Sequence, residues 1–444
     1  MGVISRRKVA AASIGMLAAA VLALTGCSSN SSTSGDTASG SSKHLTVWFP
    51  GNDPNESKYV EQTMVPKFER ETGAKVDVTF VDYTNLSPKL NAAFAAGSAP
   101  DVFGHGAAAV ADFVKNDRIE PLDSDVEKLS ASDRKDLANA LAGAKVDGKQ
   151  YMIPLQMQGW LLMYNKKDFT EAGLDPNAPP TTWEAVKSDA EKLTKRDSSG
   201  KITRSGLLLQ TEATGRQQSF ATLIASAGGS QLNKKGTKAT FDSAAGEKAL
   251  QYFVSLYQGP DAVATNLGQD YLNEPTAQQP LVTGDAAMTI QTAQGASKIA
   301  AAYPNGDWGV VQPPKFAGQS EGYAFGGSGP GMMINKDSKN KTLAWKFIEF
   351  MIDPANYNGY IKTIGGVPNR SSALSTAYVK NSPVLGAWLK ASSQWVPNPN
   401  VPNWVQARDT LDKYLEQALN KVVTPKQALK QAASEVDGIL SANG

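Results

Sequence analysis

Hydrophobic positions in the first part of the chain alternate between a strand period and a helix period. Residues 45–49 are a short, mostly apolar run, residues 76–80 alternate apolar and polar side chains, and residues 101–103 open a third extended segment, so the pattern predicts three strands. Between them, residues 59–68 and 87–97 carry apolar side chains at helical spacing. This order of strand, helix, strand, helix and strand predicts a parallel sheet with helical crossovers, and therefore an α/β fold.

Helix starts and stops are marked by polar residues and prolines. Ser87-Pro88 has the residues of a cap and first helical turn, and Thr181 with Glu184 has the spacing of a capping box. Residues 344–351 place apolar side chains on one helical face, and Asp353-Pro354 predicts the end of that helix.

The N-terminal segment has the layout of an export signal. A basic start, Arg6-Arg7-Lys8, precedes an apolar run from Val9 to Leu24 that is short for a membrane span. The ending Leu22-Ala23-Leu24-Thr25-Gly26-Cys27 resembles the lipobox of bacterial lipoproteins. The resemblance implies that residues 1–26 are a signal peptide and that Cys27 becomes the lipidated N-terminus, carrying fatty acyl chains such as palmitate.

This layout predicts where the mature protein resides. Residues 27–43 are rich in serine and glycine and predict a flexible tether, so the folded part should begin near His44. We expect an exported protein anchored to the outer face of the bacterial cytoplasmic membrane. The alternative for Cys27, the only cysteine, is a buried free thiol. Because Arg6-Arg7 also fits a twin-arginine signal, the export route stays open.

Length and composition exclude several classes of protein. The 444-residue chain is too long for one ordinary core, which predicts two lobes. Residues 1–26 hold three basic and no acidic side chains, so without them the formal net charge falls from +2 to −1. A near-neutral chain argues against nucleic acid and weakens the case for polyanionic ligands. With one cysteine and two histidines, we expect no disulfide, no metal site and no cofactor.

The middle of the chain carries its most specific pattern. Gly148-Lys149-Gln150-Tyr151 is followed by Met152-Ile153-Pro154, a short variable patch, and an apolar strand ending at Tyr164-Asn165-Lys166. Pro179-Pro180-Thr181-Thr182-Trp183-Glu184 then opens a helix. Further matching segments follow in order and are Ala225–Gly229, Gly284–Met288, Gly326-Gly327 and Ser338–Lys341. In number and order these segments resemble the family 1 extracellular solute-binding proteins, the sugar-binding subunits of ABC importers.

The resemblance implies a two-lobed α/β fold, the type II periplasmic-binding-protein-like fold, with discontinuous lobes joined at a hinge. We expect the first lobe to hold residues 44–151 and 293–335. The second lobe should hold residues 152–292 and 336–444. The chain is expected to cross between the lobes near residues 151–154, 290–294 and 335–341.

Candidate binding residues follow the strands of the first sheet, because ligands of such sheets lie at the carboxyl ends of strands. Trp48, Asn52 and Asp53 follow the first strand, residues 83–85 follow the second, and His105 follows the third. A sugar presents hydroxyl groups and apolar faces, which suit amide or carboxylate groups and aromatic rings. The alternatives are core packing for Trp48, turn formation for Asn52 and Asp53, and a satisfied, partly buried imidazole for His105.

Other candidates come from the resemblance. The patch after Pro154 bears on the ligand in this family, and strand alternation predicts one shared face for Gln156, Gln158 and Trp160. The alternative is a polar face in solvent. Three more candidates are Gly327, which would let backbone approach a ligand, Arg370, which matches a family position, and Trp395, one of three late tryptophans. Their alternatives are a plain turn, a surface arginine and core packing.

Enzyme signatures are weak. Pro330 breaks the nucleophile-elbow pattern at residues 326–330, and the sequence has no phosphate-binding loop. We therefore expect a monomeric, non-enzymatic receptor that captures a saccharide between its lobes. Its other partners should be the permease subunits and, through Cys27, the membrane. The open alternatives are a membrane-anchored glycoside hydrolase and a binding protein for another solute such as a peptide or polyamine.

Overall fold

The computed structural model describes residues 43–265 and 267–442. Cys27, the signal peptide and nearly all of the tether lie outside these residues. The strands are β1 (His44–Pro50), β2 (Lys75–Val81), β3 (Val102–His105), β4 (Lys145–Val146), β5 (Lys149–Gln150), β6 (Ile153–Pro154), β7 (Met157–Asn165), β8 (Lys195–Arg196), β9 (Ile202–Arg204), β10 (Met288–Thr292), β11 (Trp308–Val311), β12 (Ala324–Ser328), β13 (Gly331–Ile334) and β14 (Trp395–Val396).

The helices lie between these strands and at the end of the chain. They are α1 (Pro54–Tyr59), α2 (Val65–Thr72), α3 (Tyr83–Ala95), α4 (Val110–Lys115), α5 (Asp123–Val126), α6 (Ala131–Asp136), α7 (Ala138–Ala142), α8 (Lys166–Glu171), α9 (Trp183–Leu193), α10 (Gly215–Ser226), α11 (Ala244–Tyr257), α12 (Pro280–Thr283), α13 (Ala293–Ala302), α14 (Lys341–Ile352), α15 (Pro354–Ile364), α16 (Ala377–Lys380), α17 (Leu385–Lys390), α18 (Trp404–Leu419) and α19 (Pro425–Ser441). Within the described residues, no helix has the length and apolar character needed to cross a membrane.

The first sheet has the strand order β2-β1-β3-β13-β6. Strands β1, β2 and β3 pair in parallel, as their alternation with helices predicts, whereas β13 runs antiparallel to β3 and β6. On β1, Leu45, Val47 and Phe49 are fully buried, so one face of the strand faces a hydrophobic core. Phe49 stacks on Phe80 of β2, with ring centroids 5.1 Å apart.

The second sheet is built around the long strand β7. Strand β7 pairs antiparallel with β10, β11 and β12, and β12 pairs in parallel with β14. Alternate residues of β7 face opposite sides, as a strand requires. Leu162 and Tyr164 lie in a large core with helices α9, α10, α11, α18 and α19, whereas Leu161 and Met163 lie in a smaller core with α13 and α17. The second sheet is therefore covered on both faces.

The hydrophobic cores divide the chain at different places from the predicted lobe boundaries. The cores around the first sheet draw on residues 45–155 and 332–373, so α14 and α15 belong to the first lobe. Residues 293–328, which we expect in the first lobe, instead pair with β7 or pack beside it. The physical reason is that an amphipathic helix such as α14 can cover either sheet, and its own sequence does not specify which.

The crossings between the two sheets are correspondingly shifted. The chain leaves the first sheet after β6 and enters β7 through Leu155 and Gln156, next to the predicted crossing at 151–154. It returns from β12 to β13 through Gly329 and Pro330. Residues 290–294 remain with the second sheet and residues 335–341 remain with the first, so neither segment is a crossing.

Candidate functional site

A cavity of about 860 Å³ opens between residues of the two lobes. The first lobe contributes Tyr83 and residues 105–109, at the carboxyl ends of β2 and β3, together with the segment around Gly143. The second lobe contributes the segments 214–236 and 396–408. This volume lies in the range of sites for small ligands. We call this cavity the cleft.

The cleft presents aromatic rings beside amide groups. Tyr83, Tyr323 and Phe325 line it, and the Tyr83 side chain is half exposed. Gln158 and Asn398 also line it, and the Asn398 Oδ1 atom is buried without a hydrogen-bond partner among the described residues. Rings can cover the apolar faces of a sugar, and amides can donate to and accept from its hydroxyl groups.

His105 lies in the cleft, and both of its ring nitrogens are engaged in hydrogen bonds. Nδ1 accepts from the Gly106 backbone N–H at 2.9 Å, so the proton of the neutral ring sits on Nε2, which donates to Ser87 Oγ at 3.0 Å. Burial, together with the positive charge of Arg408, lowers the pKa of His105 to about 4. The imidazole is therefore uncharged at neutral pH.

Gln158 also lines the cleft. Beside it, glycines on β7 and β12 allow the Trp395 ring to approach both strands closely. Gly327 of β12 pairs with Gln158 of β7 but, unlike Gly326, is not itself one of the residues that line the cleft. A Cβ atom on Gly159 would lie 2.5 Å from Trp395 Cε2, and one on Gly326 would lie 2.7 Å from Trp395 Cγ. These glycines therefore let the Trp395 indole pack closely against the two strands. Trp395 supports the segment that lines the cleft and is absent from the lining itself.

Three other candidates lie outside the lining. Trp160 packs edge-on against Phe325, with ring centroids 5.2 Å apart, and so stands behind a lining residue. Gln156 lies at the crossing, with its side chain close to Gly366. Trp48 packs against a core of the first sheet, which is the alternative considered for it.

Asn52 and Asp53 take the roles of turn and cap. Asp53 is the N-cap of α1 and accepts from the Asn55 backbone N–H at 2.9 Å. Its carboxylate also accepts from Gln294 at 2.8 Å and pairs with Lys298, both on α13. Asn52 donates to the Asp82 carboxylate at 3.0 Å. Asp53 therefore joins the first lobe to a helix of the second.

Arg370 is buried away from the cleft, which corrects its expected role at the sugar. Its side chain is 3% exposed. Nε donates to the Ile352 carbonyl at 2.6 Å, and Nη1 donates to the carboxylates of Asp133 and Asp136 at 2.8 and 3.0 Å. The guanidinium thus fixes α6 to the chain that follows α15.

Several lining residues were missed as candidates. The turn at residues 232–236 carries no apolar period, and Arg408 lies on α18 four residues after the buried Trp404. Phe325 was missed although the neighbouring Gly327 was singled out. Tyr83 lies in the segment that the strand-end rule indicates after the second strand, although it was not among the named candidates.

The chain belongs to the bacterial extracellular solute-binding protein family, whose model matches residues 53–358. The solved structure of an ABC transporter solute-binding protein from Thermotoga lettingae, bound with α-D-tagatose, is 25% identical with a TM-score of 0.77, covering 90% of this chain and 100% of that one. The chain has the two-lobed α/β fold of such proteins.

Two curated relatives match along most of their length. The diacetylchitobiose binding protein DasA of Streptomyces coelicolor is 25% identical over 404 residues, covering 88% of each chain. The maltodextrin-binding protein MdxE of Bacillus subtilis is 26% identical over 403 residues, again covering 88% of each. The family and these similar proteins are binding proteins.

Proposed function

We propose that the protein captures a saccharide in the cleft by closing its two lobes around it, and delivers it unchanged to the permease of an ABC importer. The observation that carries this proposal is the makeup of the cleft. Residues of both lobes line one cavity, and its walls combine Tyr83, Tyr323 and Phe325 with the amides Gln158 and Asn398. This combination matches the apolar faces and hydroxyl rim of a sugar.

Two of the similar proteins support the choice of a saccharide. The names of DasA and MdxE assign them diacetylchitobiose and maltodextrin. A polyamine site needs converging carboxylates, and the described residues that line the cleft include neither aspartate nor glutamate. The uncharged and cationic residues that line the cleft, and the ligands of these two relatives, therefore favour an oligosaccharide over a cationic solute.

The N-terminal segment bears on how the protein is attached to the membrane. We infer from the lipobox-like ending at Cys27 that the mature protein is a lipoprotein held on the outer face of the cytoplasmic membrane. Residues 27–43 would then act as the tether between the acyl chains and the first strand. A monomer on such a tether can reach the permease without leaving the membrane surface.

Isothermal titration calorimetry with maltotriose, diacetylchitobiose and other oligosaccharides tests the proposed function. We expect at least one saccharide to bind, and Tyr83→Ala to weaken it by about tenfold, because the half-exposed ring would otherwise cover a sugar face. Tyr303→Ala is the matched control, since Tyr303 lies outside the lining. If no saccharide of the panel binds, or if the two variants weaken binding equally, the result would argue against the proposed site.

A further inference from the structure

The charges around the cleft are unevenly distributed. Four cationic side chains line it, Lys145, Lys234, Lys235 and Arg408, and none of the described lining residues is a carboxylate. The whole chain is nearly balanced, with 44 basic and 42 acidic residues. The excess of positive charge at the cleft is therefore local, and the net charge of the chain does not reveal it.

Both lobes contribute to this positive charge. Lys145 belongs to β4 of the first lobe, and its backbone carbonyl accepts from Asn400 Nδ2 of the second lobe at 3.1 Å. Lys234 and Lys235 lie in a turn that Asn233 closes through hydrogen bonds with residues 237 and 238. A ligand held between the lobes would therefore meet cations on both sides.

The turn that carries Lys234 and Lys235 packs against another segment of the lining. A Cβ atom on Gly236 would lie 2.5 Å from Val401 Cγ1, so the turn sits directly on the segment 396–408. Gly236 has φ +68°, which favours glycine at this point of the turn. The two lysines are therefore presented at the cleft by a packed turn.

Arg408 supplies the most buried of the four charges. Its side chain is 19% exposed, and its Nε and Nη2 donate to Asp409 Oδ1 at 2.9 and 2.7 Å. Asp409 is 60% exposed and does not line the cleft, so solvent screens this pair. Nη1 makes none of the hydrogen bonds found among the described residues, which leaves a charged donor available in the cleft.

Lysine and arginine only donate hydrogen bonds, and a hydrogen bond between two oppositely charged groups is stronger than one from the same donor to a neutral sugar hydroxyl. The charged groups of this cleft are thus matched by a ligand that accepts without donating. We propose, on the basis of the proposed function, that the bound saccharide carries an anionic substituent, either a carboxylate or a phosphate ester. This substituent is held between Arg408 and the lysines. The amides and rings hold the neutral part of the same ligand.

Matched pairs of ligands test this proposal by calorimetry. The probes are cellobiouronic acid against cellobiose, and glucose 6-phosphate against glucose, so that the two pairs separate a carboxylate from a phosphate ester. We expect the acidic member of one pair to bind at least tenfold more tightly than its neutral partner at 20 mM salt. This preference should shrink at 300 mM salt, because partly exposed charges are screened.

Variants locate the preference in the cleft. K234Q/K235Q is expected to weaken the acidic ligand by about fivefold while changing the neutral partner little. K145Q should act in the same direction from the other lobe. K238Q, in the same turn but outside the lining, is the matched control and should leave the affinity unchanged. Because these lysines are exposed, the variants should fold normally.

The outcomes separate this inference from the proposed function. Equal or tighter binding of the neutral members, or an acidic preference that none of the lysine variants alters, would overturn the inference. If neutral oligosaccharides bind and acidic ones do not, the proposed function stands and the inference fails. If no saccharide of either kind binds, the proposed function fails as well.

Discussion

Arg370→Met is expected to lower the free energy of unfolding by about 2–3 kcal/mol and to leave saccharide affinity unchanged. The substitution keeps an apolar stem of similar length but removes three hydrogen bonds, to Ile352, Asp133 and Asp136. Because the Arg370 side chain is 3% exposed, water does not replace those bonds in the folded state. Urea unfolding measures the loss of stability, and calorimetry measures the affinity.

Arg70→Met is the control, because Arg70 is an exposed arginine at the end of α2. It should change stability by less than about 0.5 kcal/mol. A large loss of affinity for Arg370→Met, with stability preserved, would instead place Arg370 at the ligand and contradict the structure.

Arg370 also makes the free energy of unfolding depend on pH, through the two carboxylates that it contacts. Hydrogen bonds from Ser130 and Arg370 lower the pKa of Asp133. Burial raises the pKa of Asp136, but hydrogen bonds from Ser372 and Arg370 outweigh it and lower that pKa. Both carboxylates therefore stabilise the fold above their ordinary pKa of 3.8, and this contribution is lost as pH falls through the lowered values. Arg370→Met should lose less stability than the wild-type protein between pH 4 and pH 2.

Trp395→Ala is expected to weaken saccharide binding by at least about tenfold and to lower the free energy of unfolding by about 2–4 kcal/mol. The indole packs on the glycines of β7 and β12, and the chain that follows it, Val396–Asn398, lines the cleft. Removing the ring leaves a void beneath that segment, so its backbone loses its support. Calorimetry and urea unfolding on the same preparation give the two effects.

Trp308→Ala separates stability from binding. Trp308 packs beside the smaller core of the second lobe and lies outside the lining of the cleft. We expect it to destabilise the protein to a similar degree without changing the affinity. Affinity losses of equal size in the two tryptophan variants would show that Trp395 has no specific part in supporting the site.

Local patterns predicted the strands better than the helix ends. The apolar run at residues 45–49 and the alternation at residues 76–80 match β1 and β2, because one face of each strand packs on a core. Helix α3 begins earlier than Ser87-Pro88 suggests, since Asp82 caps it by accepting from the Thr84 backbone N–H at 2.9 Å. A cap is a single hydrogen bond, so several nearby residues can satisfy the same pattern.

A similar ambiguity explains the capping box expected for Thr181 and Glu184. Thr182 is the N-cap of α9, and its side chain accepts from the Ala185 backbone N–H. The Glu184 carboxylate instead accepts from the backbone N–H of Ala317, which lies far along the chain. Two adjacent threonines offer the same chemistry, and only packing selects between them.

The site was harder to predict than the fold because its residues meet only in three dimensions. His105 and Gln158 could be found, since one follows a strand end and the other lies on a strand. Arg370 carried the same donors as a sugar-binding arginine, but its partners Asp133 and Asp136 lie more than 230 positions away. The sequence around Lys234 and Lys235 is that of an ordinary exposed turn. Only the packing of Gly236 on Val401 shows that this turn lies at the cleft.

The central claim is that both lobes hold the saccharide in the cleft, and hydrogen–deuterium exchange tests it most directly. The measurement compares backbone exchange of the purified protein with and without the saccharide that binds most tightly in calorimetry. We predict slower exchange in residues 105–109, from the first lobe, together with residues 214–236 and 396–408, from the second. Protection confined to one lobe, or located away from these three segments, would contradict the claim.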